Sequence, residues 1–232
     1  MDDILTPVLS LPTIEPMLLQ RRADPFNDPQ WLFELKYDGF RSLAYFKPEG
    51  CRLISRNGNT FQSFATLADE LKRCVPVRSA ILDGEIVCIG SDGRPRFYDL
   101  LYRKGTPLYF AFDLLSANGK DMRSLPLIER KAKLRSLLHD CTSPILYVQH
   151  VESEGEALFQ CVREMDLEGI VAKHKYGPYA SAREQSTWFK IRNRAYSQMV
   201  GRESVFERDR HAEPVPGWHT CDWVCEALSS SR

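Results

Sequence analysis

Residues 34–41 read Glu-Leu-Lys-Tyr-Asp-Gly-Phe-Arg, with Glu34, Lys36, Asp38 and Arg41 set among apolar neighbours. Tyr37-Asp38-Gly39 is a turn signal, so Lys36 falls where a strand ends and backbone can approach a ligand closely. Arg41 follows within reach of the same place. A lysine used as a nucleophile must first lose its proton. From an ordinary pKa of about 10.4, holding it neutral near pH 7.4 costs about 4 kcal/mol. Nearby arginines, a bound cation and desolvation each disfavour the ammonium and reduce that cost. Lys36 is therefore a candidate covalent nucleophile, although one lysine by itself is far more often simply what a surface strand carries.

Other charged residues interrupt apolar runs farther along. In Leu-Asp-Gly-Glu-Ile-Val, residues 82–87, strand alternation puts Asp83 and Glu85 on one face and Leu82, Gly84 and Ile86 on the other. Glu168 stands at the mouth of the run Gly-Ile-Val-Ala-Lys. Two carboxylates placed this way suit Mg²⁺ (or Mn²⁺) held largely through water, as in phosphoryl transfer. Each alone also fits a solvated carboxylate or a lysine partner. Trp-Phe-Lys-Ile-Arg, residues 188–192, puts Lys190 and Arg192 on one strand face. That is either an amphipathic edge strand or a pair of cations aimed at a phosphate, stabilising charge that grows as an anhydride breaks. Arg56, in Ser-Arg-Asn-Gly, precedes a turn and is ambiguous in the same way.

The elements that must position these groups are mostly short strands. Residues 9–31, rich in proline and polar side chains, read as an extended lead-in. Strands are expected from Trp31 to Arg41, over Ser42–Lys47, and over Cys51–Ser55 beyond the turn Pro-Glu-Gly, the last two as a hairpin. Phe64–Val75 has helical apolar spacing. Strands follow over Ala80–Ile89 and Leu108–Leu115. Ser124–Leu138 reads as an amphipathic helix with Ser124 as N-cap. A strand over Ile145–Val151, a helix over Ser153–Met165 and two strands near 168–175 and 187–193 complete the series. Hairpin strands with helices set among them predict an α+β fold of antiparallel sheets packed with helices, not a doubly wound parallel sheet.

The whole chain sets bounds on function. Its 232 residues suffice for a real core, its formal net charge is zero, and any pull on nucleic acid must come from a local patch. Lys173–Arg210, with nine lysines and arginines against four acids, is either such a patch or simply a solvated face. No apolar run approaches the roughly 20 residues of a membrane helix, and the acidic start is no signal peptide. A cytoplasmic protein with no membrane partner is expected. The odd count of seven cysteines points to reduced thiols. His219, Cys221 and Cys225, with His211 nearby, match no common zinc spacing, and Trp218 and Trp223 are expected to tack the tail onto the body.

Taken in order, Lys-Tyr-Asp-Gly, Ser-Arg-Asn-Gly, Leu-Asp-Gly-Glu, Phe-Asp-Leu-Leu, Glu-Gly-Ile-Val-Ala-Lys and Trp-Phe-Lys-Ile-Arg each sit at a strand end. The series resembles the nucleotidyltransferase motifs of ATP-dependent DNA ligases, a superfamily that includes RNA ligases and capping enzymes. The Pro-Met-Leu lead-in is similar to the ligase portions of bacterial end-joining ligases. The resemblance spans roughly residues 14–194. It implies the covalent nucleotidyltransferase fold of ligase adenylation domains, ATP-grasp-like, over residues 1–200, with 201–232 a short tail. It implies that Lys36 attacks the α-phosphate of ATP, keeps AMP as a phosphoramidate and passes it to the 5′-phosphate of nicked duplex DNA for sealing in repair. Glu34 matches the adenine-reading position, since a carboxylate accepts from the 6-amino group of adenine and repels the carbonyl of guanine. By the same resemblance Arg41 and Arg56 hold ribose and phosphate, and Arg41 also meets the nick's 5′-phosphate. Phe112 stacks on the base, Glu85 contacts ribose or metal, Glu168 the metal, and Lys190 and Arg192 the α-phosphate.

Two departures qualify the expectation. Arg192 stands where the family more often has lysine, which keeps the charge with a different geometry. Residues 201–232 are too few for the OB-fold domain with which these ligases continue. A separate protein supplying that function is one expected partner. An RNA ligase or capping-type enzyme, and a non-catalytic module that binds nucleotide or DNA ends, are the competing readings.

Overall fold

Runs of alternating residues pair into two sheets in the computed structural model, which describes residues 11–182 and 186–199. The first sheet contains β1 (Gln20–Arg21), β2 (Asp28–Leu35), β9 (His150–Ser153), β10 (Gly169–His174) and β11 (Trp188–Arg192), in the order β1-β11-β10-β2-β9. The second contains β3 (Phe40–Lys47), β4 (Gly50–Ser55), β5 (Ala80–Cys88), β6 (Pro107–Ala117) and β7 (Lys120–Asp121), in the order β4-β3-β5-β6-β7, with β8 (Ile145–Tyr147) against β6. Pairing is antiparallel except for β1 with β11 and β8 with β6. Among the described residues four α-helices pack on them: α1 (Ala65–Cys74), α2 (Phe97–Leu101), α3 (Leu127–Leu137) and α4 (Gly155–Glu164). The α+β architecture is as the alternation predicts.

Strand parity decides what lies between the sheets. On one face of the first sheet Phe33, Ile170, Ala172 and Ile191 pack with Val162 of α4. The other face carries Leu32, Glu34, Lys173, Trp188, Lys190 and Arg192, because directly opposed residues share a side. In the second sheet Ala44, Phe46, Leu53, Leu82 and Ile86 join α1 and α2 in the largest core cluster. The alternate face presents Arg41, Leu43, Tyr45, Ile81, Asp83 and Glu85. Leu32 and Trp188 of one sheet meet Leu43, Tyr45, Ile81 and Leu115 of the other in an apolar cluster joined by Ile14 and Met17 of the lead-in. Charged residues that look misplaced in strands therefore line the inner surfaces beside this cluster.

Several boundaries differ from expectation. Residues 34–41 are not one strand: β2 ends at Leu35 and β3 begins at Phe40, so Lys36 lies in the link between the sheets. Gly39 is needed in that link, because a Cβ there would lie 2.1 Å from the Ile86 carbonyl oxygen. Residues 145–151 split into β8 and β9, which join different sheets. The N-cap of α3 is Pro126, not Ser124, whose place lies before the helix starts. Nor is α3 simply amphipathic, since its buried face includes Arg130 and Lys131 beside Leu127 and Leu134. The five described cysteines are free thiols, and no described helix is long and apolar enough to cross a membrane. The cysteine-histidine group and the tryptophans beyond residue 200 lie outside the described residues.

Candidate active site

Pairing of β2 with β10 builds the first half of the site. Leu35 lies opposite Ile170, and the Lys36 amide donates to the Gly169 carbonyl at 2.9 Å. The lysine is thereby set beside Glu168, and Lys36 Nζ lies 2.7 Å from Glu168 Oε2. Gly169 faces Arg192 across β10 and β11, and Arg192 Nε is 3.9 Å from Glu168 Oε1. A Cβ on Gly169 would lie 2.2 Å from the Ile191 carbonyl oxygen, so glycine after Glu168 lets these strands close up.

The second sheet supplies Glu85, directly opposite Arg41 in the pairing of β3 with β5. Burial pushes its carboxyl up to about 8, with Glu168 and Asp38 adding to the effect against Lys36 and Arg41. Burial also raises Glu168 above the usual carboxylate range, although Lys36 opposes it. Burial alone would depress Lys36, but Glu168 and Glu85 outweigh it and hold the ammonium above its ordinary value. From sequence, nearby arginines, a bound cation and desolvation are expected to ease proton loss. Here the carboxylates win, and the lysine rests as a charged ion pair.

Cations gather on the other side. Lys190 is lowered to about 8, first by burial and then by Arg192, Lys36, Arg21 and Arg56. Arg192 Nε is buried with no hydrogen-bond partner among the described residues. Such a concentration of positive charge and unused donors suits phosphate oxygens. Arg21 carries no signal in the sequence. It pairs in register with Lys190 through the two-residue strand β1, inside a stretch that reads as loop. Arg56 lines a surface cavity of about 560 Å³ between the β3–β4 hairpin and the lead-in.

Three residues expected to touch the ligand also have protein partners. Arg41 makes a two-pronged pair with Asp83, at 3.1 and 2.7 Å, and donates to the Met17 carbonyl at 2.6 Å. Its guanidinium is thus largely engaged in holding β3, β5 and the lead-in together. Glu34 is 2% exposed and lies between two lysines, with Lys131 Nζ at 2.5 Å and Lys173 Nζ at 2.6 Å. Phe112 packs edge-on to Trp188, with Lys173 Nζ 4.2 Å from its ring centre. Lys131 carries no sequence signal pointing to this site, since its partner Glu34 lies 97 residues away, whereas Trp188 shares the strand parity of Lys190 and Arg192.

Lys36 paired to Glu168, with Arg192 near the other oxygen of that carboxylate, Lys190 beside them on β11 and Glu85 supplied by the second sheet, fits a nucleotidyltransferase of the covalent-lysine class. The profile of the "ATP dependent DNA ligase domain" family matches residues 16–192, and the chain belongs to that family. It is 31% identical to the SPbeta prophage-derived DNA ligase-like protein LigB of Bacillus subtilis over 194 residues, covering 81% of this chain and 70% of that protein. It is 28% identical to the multifunctional non-homologous end joining protein LigD of Pseudomonas aeruginosa over 177 residues, covering 74% of this chain but 21% of that one. Among solved structures, the ligase domain of M. tuberculosis LigD superposes with a TM-score of 0.65 at 27% identity, covering 76% of this chain and 58% of that domain.

Proposed function

We propose that the protein is a DNA ligase whose Lys36 takes AMP from ATP and delivers it to the 5′-phosphate of a nick during repair. The observation that carries this reading is Glu168 held between Lys36 and Arg192, 2.7 Å from the lysine through one oxygen and 3.9 Å from the arginine through the other, with Lys190 lowered by burial and by both cations. The amine of Lys36 forms a bond to the α-phosphorus while the bond from that phosphorus to the bridging oxygen breaks, and pyrophosphate leaves with its electron pair. Glu168 Oε2 already accepts a hydrogen bond from Nζ, which places it to receive the proton that Lys36 must lose. Lys190 and Arg192 oppose charge growing on the phosphate oxygens. The AMP phosphorus is then attacked by the DNA 5′-phosphate, releasing the lysine. Finally the 3′-hydroxyl attacks the activated 5′-phosphate and expels AMP.

A structure of mycobacterial ligase D complexed with ATP superposes at a TM-score of 0.65 and 26% identity, which supports ATP as the nucleotide. Glu34 is assigned to the adenine 6-amino group and Phe112 to the base face. Among the described residues, no three histidine, cysteine, aspartate or glutamate side chains form a metal cage. Glu85 and Glu168 fit Mg²⁺ (or Mn²⁺) nonetheless, because this ion commonly takes one or two carboxylates and completes its shell with water and phosphate oxygens. Bound there, the cation supplies charge against the triphosphate. The setting assigned is the cytoplasm, at DNA.

Incubation with α-labelled ATP and a divalent cation is expected to leave an acid-labile, base-stable label on the chain, absent in Lys36→Ala. An unlabelled wild type, or an equally labelled variant, overturns the covalent step. Nicked DNA and nicked RNA, added in parallel, test the assigned substrate. Transfer of label to the DNA 5′-phosphate and a sealed DNA strand are expected, and sealing of RNA alone overturns that assignment.

A further inference from the structure

Glu34 poses a problem that the transfer chemistry leaves unsolved. A carboxylate almost wholly removed from water is costly unless it is paired, and one lysine would be enough to pair it. Two lysines meet it here, one on each oxygen.

The two are not equivalent. Lys173, on β10, lies with its ammonium 4.0 and 4.2 Å from the ring centres of Trp188 and Phe112. Burial and the neighbouring Lys131 push it down to about 8, so it is the cation of the pair that gives up its proton first. Lys131 is anchored from several sides. Its ammonium donates to the Val148 carbonyl at 3.1 Å and reaches the Phe112 carbonyl at 3.5 Å, and it lies 4.6 Å from the Tyr147 ring centre. Although burial opposes it, Glu34 keeps its affinity for the proton above the ordinary lysine value. Its Cα is fixed by α3, where the next residue toward the N-terminus, Arg130, forms a fully buried pair with Asp113. Asp113 and Phe112 are neighbours on β6, so helix and strand are locked together at the base-facing aromatic ring.

We propose that Lys131 is a positioning residue for base selection: it fixes the ionised Glu34 carboxylate at the place where an adenine 6-amino group is read. The inference rests on the assignment of Glu34 to adenine made above. A carboxylate has about four lone-pair sites, so two lysines leave acceptors for an amino group. Held from the backbone of β6 and the β8–β9 link, the anion cannot swing to follow a base that lacks this donor. A mismatched base then leaves a buried carboxylate lone pair without its hydrogen bond, which is how a polar site rejects an analogue.

The test compares ATP with purine riboside triphosphate, which differs only in lacking the 6-amino group, as donors for self-adenylation-type labelling. The proteins are wild type, Glu34→Gln, Lys131→Met and Lys131→Gln. Wild type is expected to prefer ATP by at least about tenfold in kcat/KM, as for a hydrogen bond to a charged acceptor. Lys131→Met is expected to lose most of that preference through a higher KM for ATP, with kcat at saturating ATP within about twofold of wild type. The preference is a ratio within one preparation and so does not depend on how much protein is folded. If Lys131→Met does not fold, Lys131→Gln, which retains a donor without the charge, serves in its place. No preference in wild type, or an unchanged one in Glu34→Gln, overturns the assignment of Glu34 and the inference with it. Preference lost in Glu34→Gln but kept in both Lys131 variants overturns the role of Lys131 alone. An equal fall in rate with both nucleotides does the same.

Discussion

Lys36 Nζ and Glu168 Oε2 lie 2.7 Å apart although 132 residues separate them, because Leu35 and Ile170 are opposed in adjacent strands just before these side chains diverge from the ladder. The carboxylate that orients the nucleophile also keeps it protonated. Glu168→Gln removes one of the influences holding the proton on Lys36. The rising limb of adenylation rate against pH is therefore expected to move to lower pH in the variant. Its plateau is expected to fall about 10²-fold or more, as for loss of a general base. Initial label incorporation at saturating ATP from about pH 6 to about pH 11, a range that spans the ordinary lysine value, reads both effects. A limb that stays in place separates Lys36 from the titration it reports.

Arg21 stands beside Lys190 in register and joins the cations that lower it. It is exposed, so its contribution to phosphate binding is screened. Arg21→Ala is expected to raise the KM for ATP about two- to fivefold, in keeping with an exposed charge, and to leave kcat unchanged. Since Lys190 loses a crowding neighbour, its proton affinity rises toward the ordinary lysine value. Steady-state adenylation kinetics check the first point, and an unchanged KM removes Arg21 from the phosphate site.

How far the sequence carried these conclusions depended on the range of each contact. Period-2 alternation placed Asp83 and Glu85 together, and Lys190 with Arg192, because strand parity is local. It also located most of the longer strands within a few residues, but it missed β1 and β7 and ran β8 and β9 together. It could not show that Asp83 would reach Arg41 diagonally and so engage a guanidinium expected at the ligand, since that pair depends on register between β3 and β5. Arg130 and Lys131 on the inner side of α3 contradict the usual amphipathic pattern, because their partners Asp113 and Glu34 come from two different sheets. β1 has only two residues and is stabilised by β11, far along the chain, so no local pattern marks it.

Asp83 is wholly buried and takes charge from Arg41 and a hydrogen bond from the Tyr179 hydroxyl at 2.8 Å. Asp83→Asn leaves a mostly buried guanidinium without its counter-ion. The expected loss is about 3 kcal/mol of unfolding free energy, read from urea denaturation. Ties from Arg41 to Met17 and from Tyr179 to the Met17 amide make the lead-in depend on the same pair. Faster proteolysis within residues 11–19 is therefore expected in the variant, and a loss under about 1 kcal/mol would mean the pair is replaceable.

Glu85 works in the opposite direction, as a functional group that costs stability. Its folded-state pKa of about 8 lies above the ordinary 4.5, chiefly through burial. Between those values the folded protein binds a proton that the unfolded chain has released. Stability contributed by this group therefore falls as pH rises through that window. Glu85→Gln cannot ionise and escapes the loss. At about pH 8 the variant is expected to melt about 2–4 °C higher than wild type, and near pH 4.5 the two are expected to converge. Adenylation is expected to drop sharply in the same protein, because the carboxylate assigned to ribose or metal is gone. Thermal melts across pH, paired with label incorporation, test both halves. A variant that is less stable at pH 8 would show that Lys36 and Arg41 compensate the ionised carboxylate fully, and would locate its cost elsewhere.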